Sequence, residues 1–408
     1  MNNHQLLVGW HRGVVTPREP VPLLGMGRNM ARMANYFVAD ELMASITVFA
    51  DKTGLHNAVL FCTLDWLNIG KTETEAAAGR ISSATGIPKD RIFFCCSHTH
   101  CGPDWKNNHT AVRRYLAWFY AAIAKYAQAA VADLQPATIR AGAVQTEKLN
   151  FTRRYLIKTP EGYEAESAVW GKFDRGEIVD YETPADNRLQ AVRICREKGK
   201  DIILLNFQVH PSFNGSFTMG NASADMVAGL RTALETRYPD AVVAYIQGGA
   251  ANQARASKLE EKAQLDREGY GAALTDYAMK ALETGRRLET ATPKAVHRVY
   301  VPTYKANYTD RRYVMDLNAV SVGELSFVTA PYEMFCNSAM DIKEHGKKHF
   351  AMTIVSSVTN GDNRYMPVQR SFDLDPTMRS FEVKSCNFVP GTAEVLVENF
   401  KEMLTELT

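Results

Sequence analysis

The chain has 408 residues, 46% of them hydrophobic and 23% charged, ordinary proportions for a globular protein with a large core. Its 47 basic and 45 acidic residues are interspersed and leave a net charge of +2, with no basic block to neutralise a phosphate backbone, so nucleic acid is excluded as a partner. There is no fixed-period repeat, coiled-coil heptad or low-complexity linker, which argues against a scaffolding role; the length allows two domains or one large α/β domain, and one over residues 1–408 is expected.

The opening MNNHQLLVGWHRGVV lacks the charged start, apolar core and cleavage site of a secretory signal. Seven cysteines (62, 95, 96, 101, 195, 336 and 386) are an odd number without the dense spacing of a disulfide scaffold. Both features predict a reducing, cytoplasmic setting. Zinc takes thiolates, and Cys95, Cys96 and Cys101 lie near two histidines. Adjacent strand residues face opposite ways, however, so Cys95 and Cys96 cannot both reach one ion.

In chain order, AVLFCTLD (58–65) reads as a strand. The helical TETEAAAGRISSATG follows, with Thr72 and Glu75 suited to a capping box and Gly86 and Pro88 as a stop. RIFFCC (91–96) reads as the next strand, so the segment predicts a right-handed parallel crossover. The Ala-rich YLAWFYAAIAKYAQAAVADL is interrupted by Lys125 and Gln128 and predicts a buried helix, not a membrane span. Residues 154–190, rich in Gly, Pro and charge, predict a surface excursion or lid over a cleft.

The strand–helix–strand pattern returns twice. DIILLNFQV (201–209) and AVVAYIQ (241–247) flank one helix; ELSFVTA (324–330) and MTIVSSVTN (352–360) flank another. Strands so continuously apolar are buried on both faces. The expected fold is therefore α/β: a mixed, largely parallel sheet built from βαβ units with helices on both faces, and some antiparallel additions in RVYVPTYKA and RRYVMDLNAVSV.

Ligands bind at the carboxyl ends of strands in open parallel sheets. Just beyond those ends lie His98 and His100, His210, the GGAAN turn at 248–252, Glu333 and Tyr365. If the strands share one sheet, these residues meet at one edge. Two imidazoles and a carboxylate with an open position make a common catalytic zinc shell, which His98, His210 and Glu333 supply. Water in the open position reaches a pKa near 7 and becomes a nucleophile. Taken singly, each residue has a plainer reading: a hydrogen-bonded loop histidine, a carboxylate at a helix start, a packing tyrosine. Asp65 either orients a ligand imidazole or caps the following loop.

SHTHCGP, NFQVHPS, APYEMFCNSAMDIK and TNGDNRYMP, in that order, with GVVTPREPVPLLGMG near the start, resemble the N-terminal catalytic domain of the neutral/alkaline, non-lysosomal ceramidases. The resemblance implies an amide hydrolase holding one zinc through His98, His210, Glu333 and Tyr365. It assigns proton transfer to His100 and places an arginine near the substrate carbonyl, Arg153 in NFTRRY with Arg154 as its rival. Where that family has a serine this chain has Ala250, which leaves the metal-activated water as nucleophile. Gly249, Ala250 and Asn252 are expected to contact substrate through backbone N–H groups. The expected substrate is an amide or cyclic amide of a small metabolite, with an ester, lactone or sugar derivative, or a non-catalytic metal-binding relative, as alternatives. Expected partners are limited to that small molecule, with no membrane span and with a homo-oligomer allowed.

Overall fold

The computed structural model describes residues 5–27, 29–168, 176–214, 219–260, 265–306, 308 and 314–408. All three crossovers form. Gly54–Leu64 pairs in parallel with Ile92–Cys96 around helix Lys71–Thr85. Asp201–Phe207 pairs with Ala241–Gln247 around Met226–Arg237. Leu325–Thr329 pairs with Met352–Ser356 around Cys336–Gly346.

The sheet is mixed but not largely parallel. In the nine-stranded sheet the first two crossovers lie at opposite edges. Between them run Met43–Asp51, Leu7–Val14, Gln135–Gln145 and Arg188–Arg196, every pairing of which is antiparallel. The chain dictates this where its connections are short. Met43–Asp51 turns straight into Gly54–Leu64, and Arg188–Arg196 into Asp201–Phe207, and such links join only antiparallel neighbours.

The third crossover belongs to a separate four-stranded sheet with Lys294–Tyr300 and Met315–Val322. The two sheets pack face to face. Phe61 and Phe327 have ring centroids 4.6 Å apart, within a dry seam that also takes in Phe49, Phe93, Val320 and Ile354. Among the described residues, helices cover only the outer faces. Thr110–Ala132, Met226–Arg237 and Arg267–Glu283 lie on the large sheet, and Cys336–Gly346 and Thr392–Glu406 lie on the small one. The expectation of helices on both faces of one sheet thus gives way to four layers, helix–sheet–sheet–helix. A continuous apolar run reports burial of both strand faces but not whether helix or sheet covers them.

The strand ends still converge, because the second sheet is stitched to both edges of the first. Asn360, just past Met352–Ser356, accepts from Phe94 N (2.7 Å) and donates to Ile92 O (2.8 Å), acting as a one-residue strand on the Ile92–Cys96 edge. Ser357 N donates to Gln247 O (2.9 Å) at the other edge.

Local expectations fare unevenly. Helix Lys71–Thr85 stops at Gly86 in a left-handed conformation, as expected. It starts two residues earlier than the proposed capping box allows, with Gly70 as a cap without side-chain bonds. A Cβ at Gly70 would lie 2.4 Å from Trp105, so close packing outweighs capping there. Thr110–Ala132 is a half-buried helix, and among the described residues no helix is long and apolar enough to cross a membrane. All seven thiols are free and six are buried. Within 154–190, the strands Arg154–Thr159, Gly162–Ser167 and Glu177–Tyr181 form a small antiparallel sheet; residues 169–175 lie outside the described residues.

Candidate metal centre

His98 follows the Ile92–Cys96 strand and is pinned by its own backbone: Ser97 N donates to Leu64 O and His98 N to Trp66 O, both at 2.9 Å. Its φ is +67°, a left-handed conformation uncommon for a residue with a side chain and characteristic of functional turns. His210 follows Asp201–Phe207, and Glu333 and Tyr365 sit opposite each other in a short parallel bridge. Three separate crossovers therefore deliver these groups.

His98, His100 and His210 come together, with one ring nitrogen from each within 4.8 Å of the others. Every Nδ1 faces a backbone carbonyl: Leu67 O at 2.9 Å from His98, Gly25 O at 2.9 Å from His100, and Ala250 O at 3.2 Å from His210. A carbonyl only accepts, so each Nδ1 carries its ring's proton and each Nε2 faces the shared point. That is how a metal-binding histidine is oriented. Burial, then the neighbouring His98, pushes the His100 pKa down to about 3. Burial, then Arg153, holds His210 well below the usual histidine range. Both rings rest neutral with Nε2 lone pairs exposed to one another.

The acceptors crowd. His98 Nε2 lies 3.3 Å from His210 Nε2 and 3.4 Å from Glu333 Oε2. Metal–ligand bonds of about 2.0–2.1 Å around a tetrahedral ion place ligand atoms about 3.3–3.4 Å apart. Glu333 Oε2 and His100 Nε2 are buried without hydrogen-bond partners. Burial alone would raise the Glu333 carboxyl, but the positive charge and donors around it, Arg153 and the Tyr365 hydroxyl among them, outweigh it and hold it below the usual carboxylate range. Three imidazole nitrogens facing one point, with the Glu333 carboxylate against His98 and outside that group of three, and with two of these polar atoms orphaned, fit a divalent cation.

Arg153 sits at the bend between Phe151–Thr152 and Arg154–Thr159, and Arg154 opens the second of these strands, so the two side chains meet different surroundings although both reach Glu382. Arg153 lines the cavity, donating from Nη2 to the Tyr365 hydroxyl (3.3 Å) and from Nε to Glu382 (2.8 Å). Arg154 is fully buried against Glu182, Glu382 and Ser380 and does not line the cavity. Burial, then Glu333, raises the Tyr365 hydroxyl well above its usual range, so it stays protonated.

The cavity above the centre is about 690 Å³, and Tyr155 and Ala168 of the 154–190 region help to wall it. Gly249, Ala250 and Asn252 do not line it. They lie behind the centre: Ala250 O orients His210, and Asn252 accepts from Cys336 N (2.9 Å) through its side chain and from Arg153 N (2.9 Å) through its carbonyl. Asp65 takes neither expected role, accepting instead from Met43 N (2.9 Å) and Arg231 (2.7 Å).

No family model matches the sequence, and no curated protein matches it. The fold does have counterparts among solved structures. Neutral ceramidase from Pseudomonas aeruginosa superposes over 100% of this chain and 75% of that one, with a TM-score of 0.78 and 13% sequence identity. A ceramidase complexed with C2 covers 99% of this chain and 75% of its own, with a TM-score of 0.75 and 13% identity. The chain has the ceramidase fold.

Within this ceramidase fold, sequence reading misses the parts supplied by backbone and by remote partners. Any residue can offer a carbonyl, so Leu67 carries no signal. Gly25 does carry one: its φ is +118°, and a Cβ there would lie 2.9 Å from the His100 ring, which only the glycine of LLGMG avoids. Glu382, which orients Arg153, lies in an unremarked helix, Phe381–Ser385.

Proposed function

We propose that this protein is a metal-dependent hydrolase, most closely an amidase, acting on a small-molecule substrate in the 690 Å³ cavity. The observation that supports the reading is the pair of spacings around His98 Nε2, 3.3 Å to His210 and 3.4 Å to Glu333, each close to the ligand–ligand distance about a tetrahedral zinc, beside two orphaned polar atoms. His98, His210 and Glu333 would hold the ion, zinc by its preference for such ligands, with the Tyr365 hydroxyl at its margin. A divalent ion in that shell supplies a Lewis acid that acidifies water and polarises a carbonyl oxygen.

The other groups act from fixed positions. Arg153 and the Tyr365 hydroxyl present N–H and O–H donors where a carbonyl oxygen gains charge. His100, neutral and with Nε2 unpartnered, accepts the proton released by the attacking water and returns it to the leaving nitrogen, and negative charge developing beside it favours its protonated form. With Ala250 buried behind His210, no hydroxyl is available there as a nucleophile. The likeness to ceramidases supports amide chemistry as the first to test, before esters and lactones.

The test is metal analysis followed by an amide library assayed with and without chelator. About one zinc per chain and chelator-sensitive amine release are expected. Metal-free protein that neither gains zinc nor hydrolyses any amide or ester would overturn the reading. His100→Ala should retain zinc and lose turnover by roughly 10²–10⁴-fold; retained turnover would remove it as the base.

A further inference from the structure

Charge is distributed unevenly around the cavity. Its wall carries Lys106, Arg153, Arg255, Lys258 and Arg364 against two carboxylates, Glu333 and Asp362. Lys106 is ion-paired with Asp362 and Arg153 with Glu382. Arg255 is different. It is half-buried, it lines the cavity, and among the described residues it forms no hydrogen bond or ion pair, its guanidinium stacking on the ring of Phe213 at 4.3 Å. No carboxylate among the described residues pairs with it. Among the described residues Arg364 also forms no ion pair, and Asp362 senses it only at longer range. It stands exposed at the rim on a left-handed backbone (φ +57°), which fixes where its side chain starts.

The Arg255 segment is held in place. Ala254 pairs with Phe151 and Gln253 with Thr152, the Tyr155 hydroxyl accepts from Lys258 N (2.9 Å), and Ser257 Oγ accepts from Leu259 N and Glu260 N. A guanidinium brought to a cavity wall by a braced turn, stacked on a ring and left without a counter-ion, is a preorganised oxyanion receptor. A wall on which Arg255 and Arg364 stand without a counter-ion among the described residues also concentrates anions from solution.

We propose that the substrate carries an oxyanion, a carboxylate or a phosphate, that Arg255 and Arg364 bind. This rests on the hydrolase reading only in calling the ligand a substrate; the anion site itself does not depend on turnover. It separates the expected substrate from a neutral amide, since a neutral molecule would leave Arg255 without a counter-ion when bound.

The experiment uses full-length, metal-free protein kept in chelator, so that no probe is held by an ion. Affinities are measured calorimetrically for N-acetylglycine, N-acetyl-O-phosphoethanolamine and the uncharged N-acetylglycinamide. At least one acid should bind about tenfold or more tightly than the amide, with affinity falling as salt rises; which acid binds better assigns carboxylate or phosphate. In the R255M/R364M double variant the preference should shrink to within about twofold, while zinc uptake and the circular dichroism spectrum stay unchanged, and Arg255→Lys should restore part of it. Equal binding of acid and amide, no binding of any probe up to about 20 mM, or a preference surviving in the double variant overturns the proposal. Hydrolysis of the same three probes by zinc-loaded protein separates the two readings. Arginine-dependent binding without turnover counts against the hydrolase alone, and turnover without preference for the acids counts against the oxyanion site alone.

Discussion

Two buried clusters of ionisable groups lie side by side, and they differ in how completely they are satisfied. Around Arg154, Glu382 accepts from Arg153, Arg154 and Ser167, and Glu182 accepts from Arg154 and Ser371. Only Arg154 Nη2 goes without a partner. Around His98 the count is reversed: acceptors face acceptors, and both His100 Nε2 and Glu333 Oε2 are orphans. Buried charge that is matched by donors holds a fold together. Buried polar atoms left unmatched mark a place for something the chain does not provide.

The sharpest way to break this contrast is to remove one member from each cluster. His98→Ala or His210→Ala should abolish zinc uptake and hydrolysis together. In chelator, where no ion is held, either variant should lose only about 1–3 kcal/mol in urea unfolding, since one carbonyl loses its donor but no buried charge is stranded. Glu382→Gln should do the opposite, losing about 3–5 kcal/mol by leaving two arginines without their shared carboxylate. A stable Glu382→Gln protein, or a collapsed His210→Ala one, would reverse the assignment of the clusters. A smaller effect is expected where they touch. Tyr365→Phe should slow hydrolysis by roughly ten- to a thousandfold with zinc retained; loss of zinc instead would put the hydroxyl on the ion. Least of all, Asn360→Ala should cost about 1–3 kcal/mol, the loss of two bonds to buried strand backbone, and lower zinc affinity slightly by loosening one sheet from the other.

The parts of the molecule that were legible beforehand are those that repeat a local pattern. Each apolar run became a strand and each crossover a parallel pair, because period and length act within a dozen residues. What joined the crossovers was not legible. RLQAVRICR and Leu7–Val14 pair antiparallel across the middle of the large sheet, and no local signal told ELSFVTA that a second sheet rather than a helix would cover it. The candidate centre divides likewise. His98, His210, Glu333 and Tyr365 were visible as polar residues just beyond apolar runs. The GGAAN turn was visible too, but its direction was not, and it turned its backbone to His210 and Arg153 rather than to the cavity. Arg255 drew no attention because a lone arginine in QARAS looks like any other surface cation until its neighbours are known.

The candidate centre takes its imidazoles from one sheet and its carboxylate from the other, so it straddles a joint made of phenylalanines. A slide of even an ångström between Phe61 and Phe327 would alter the His98–Glu333 spacing directly. Interior repacking far from any substrate, such as Phe327→Leu, is thus expected to register as weaker cation affinity before it registers as unfolding. Core and chemistry here share one hinge line, and selection on either constrains the other.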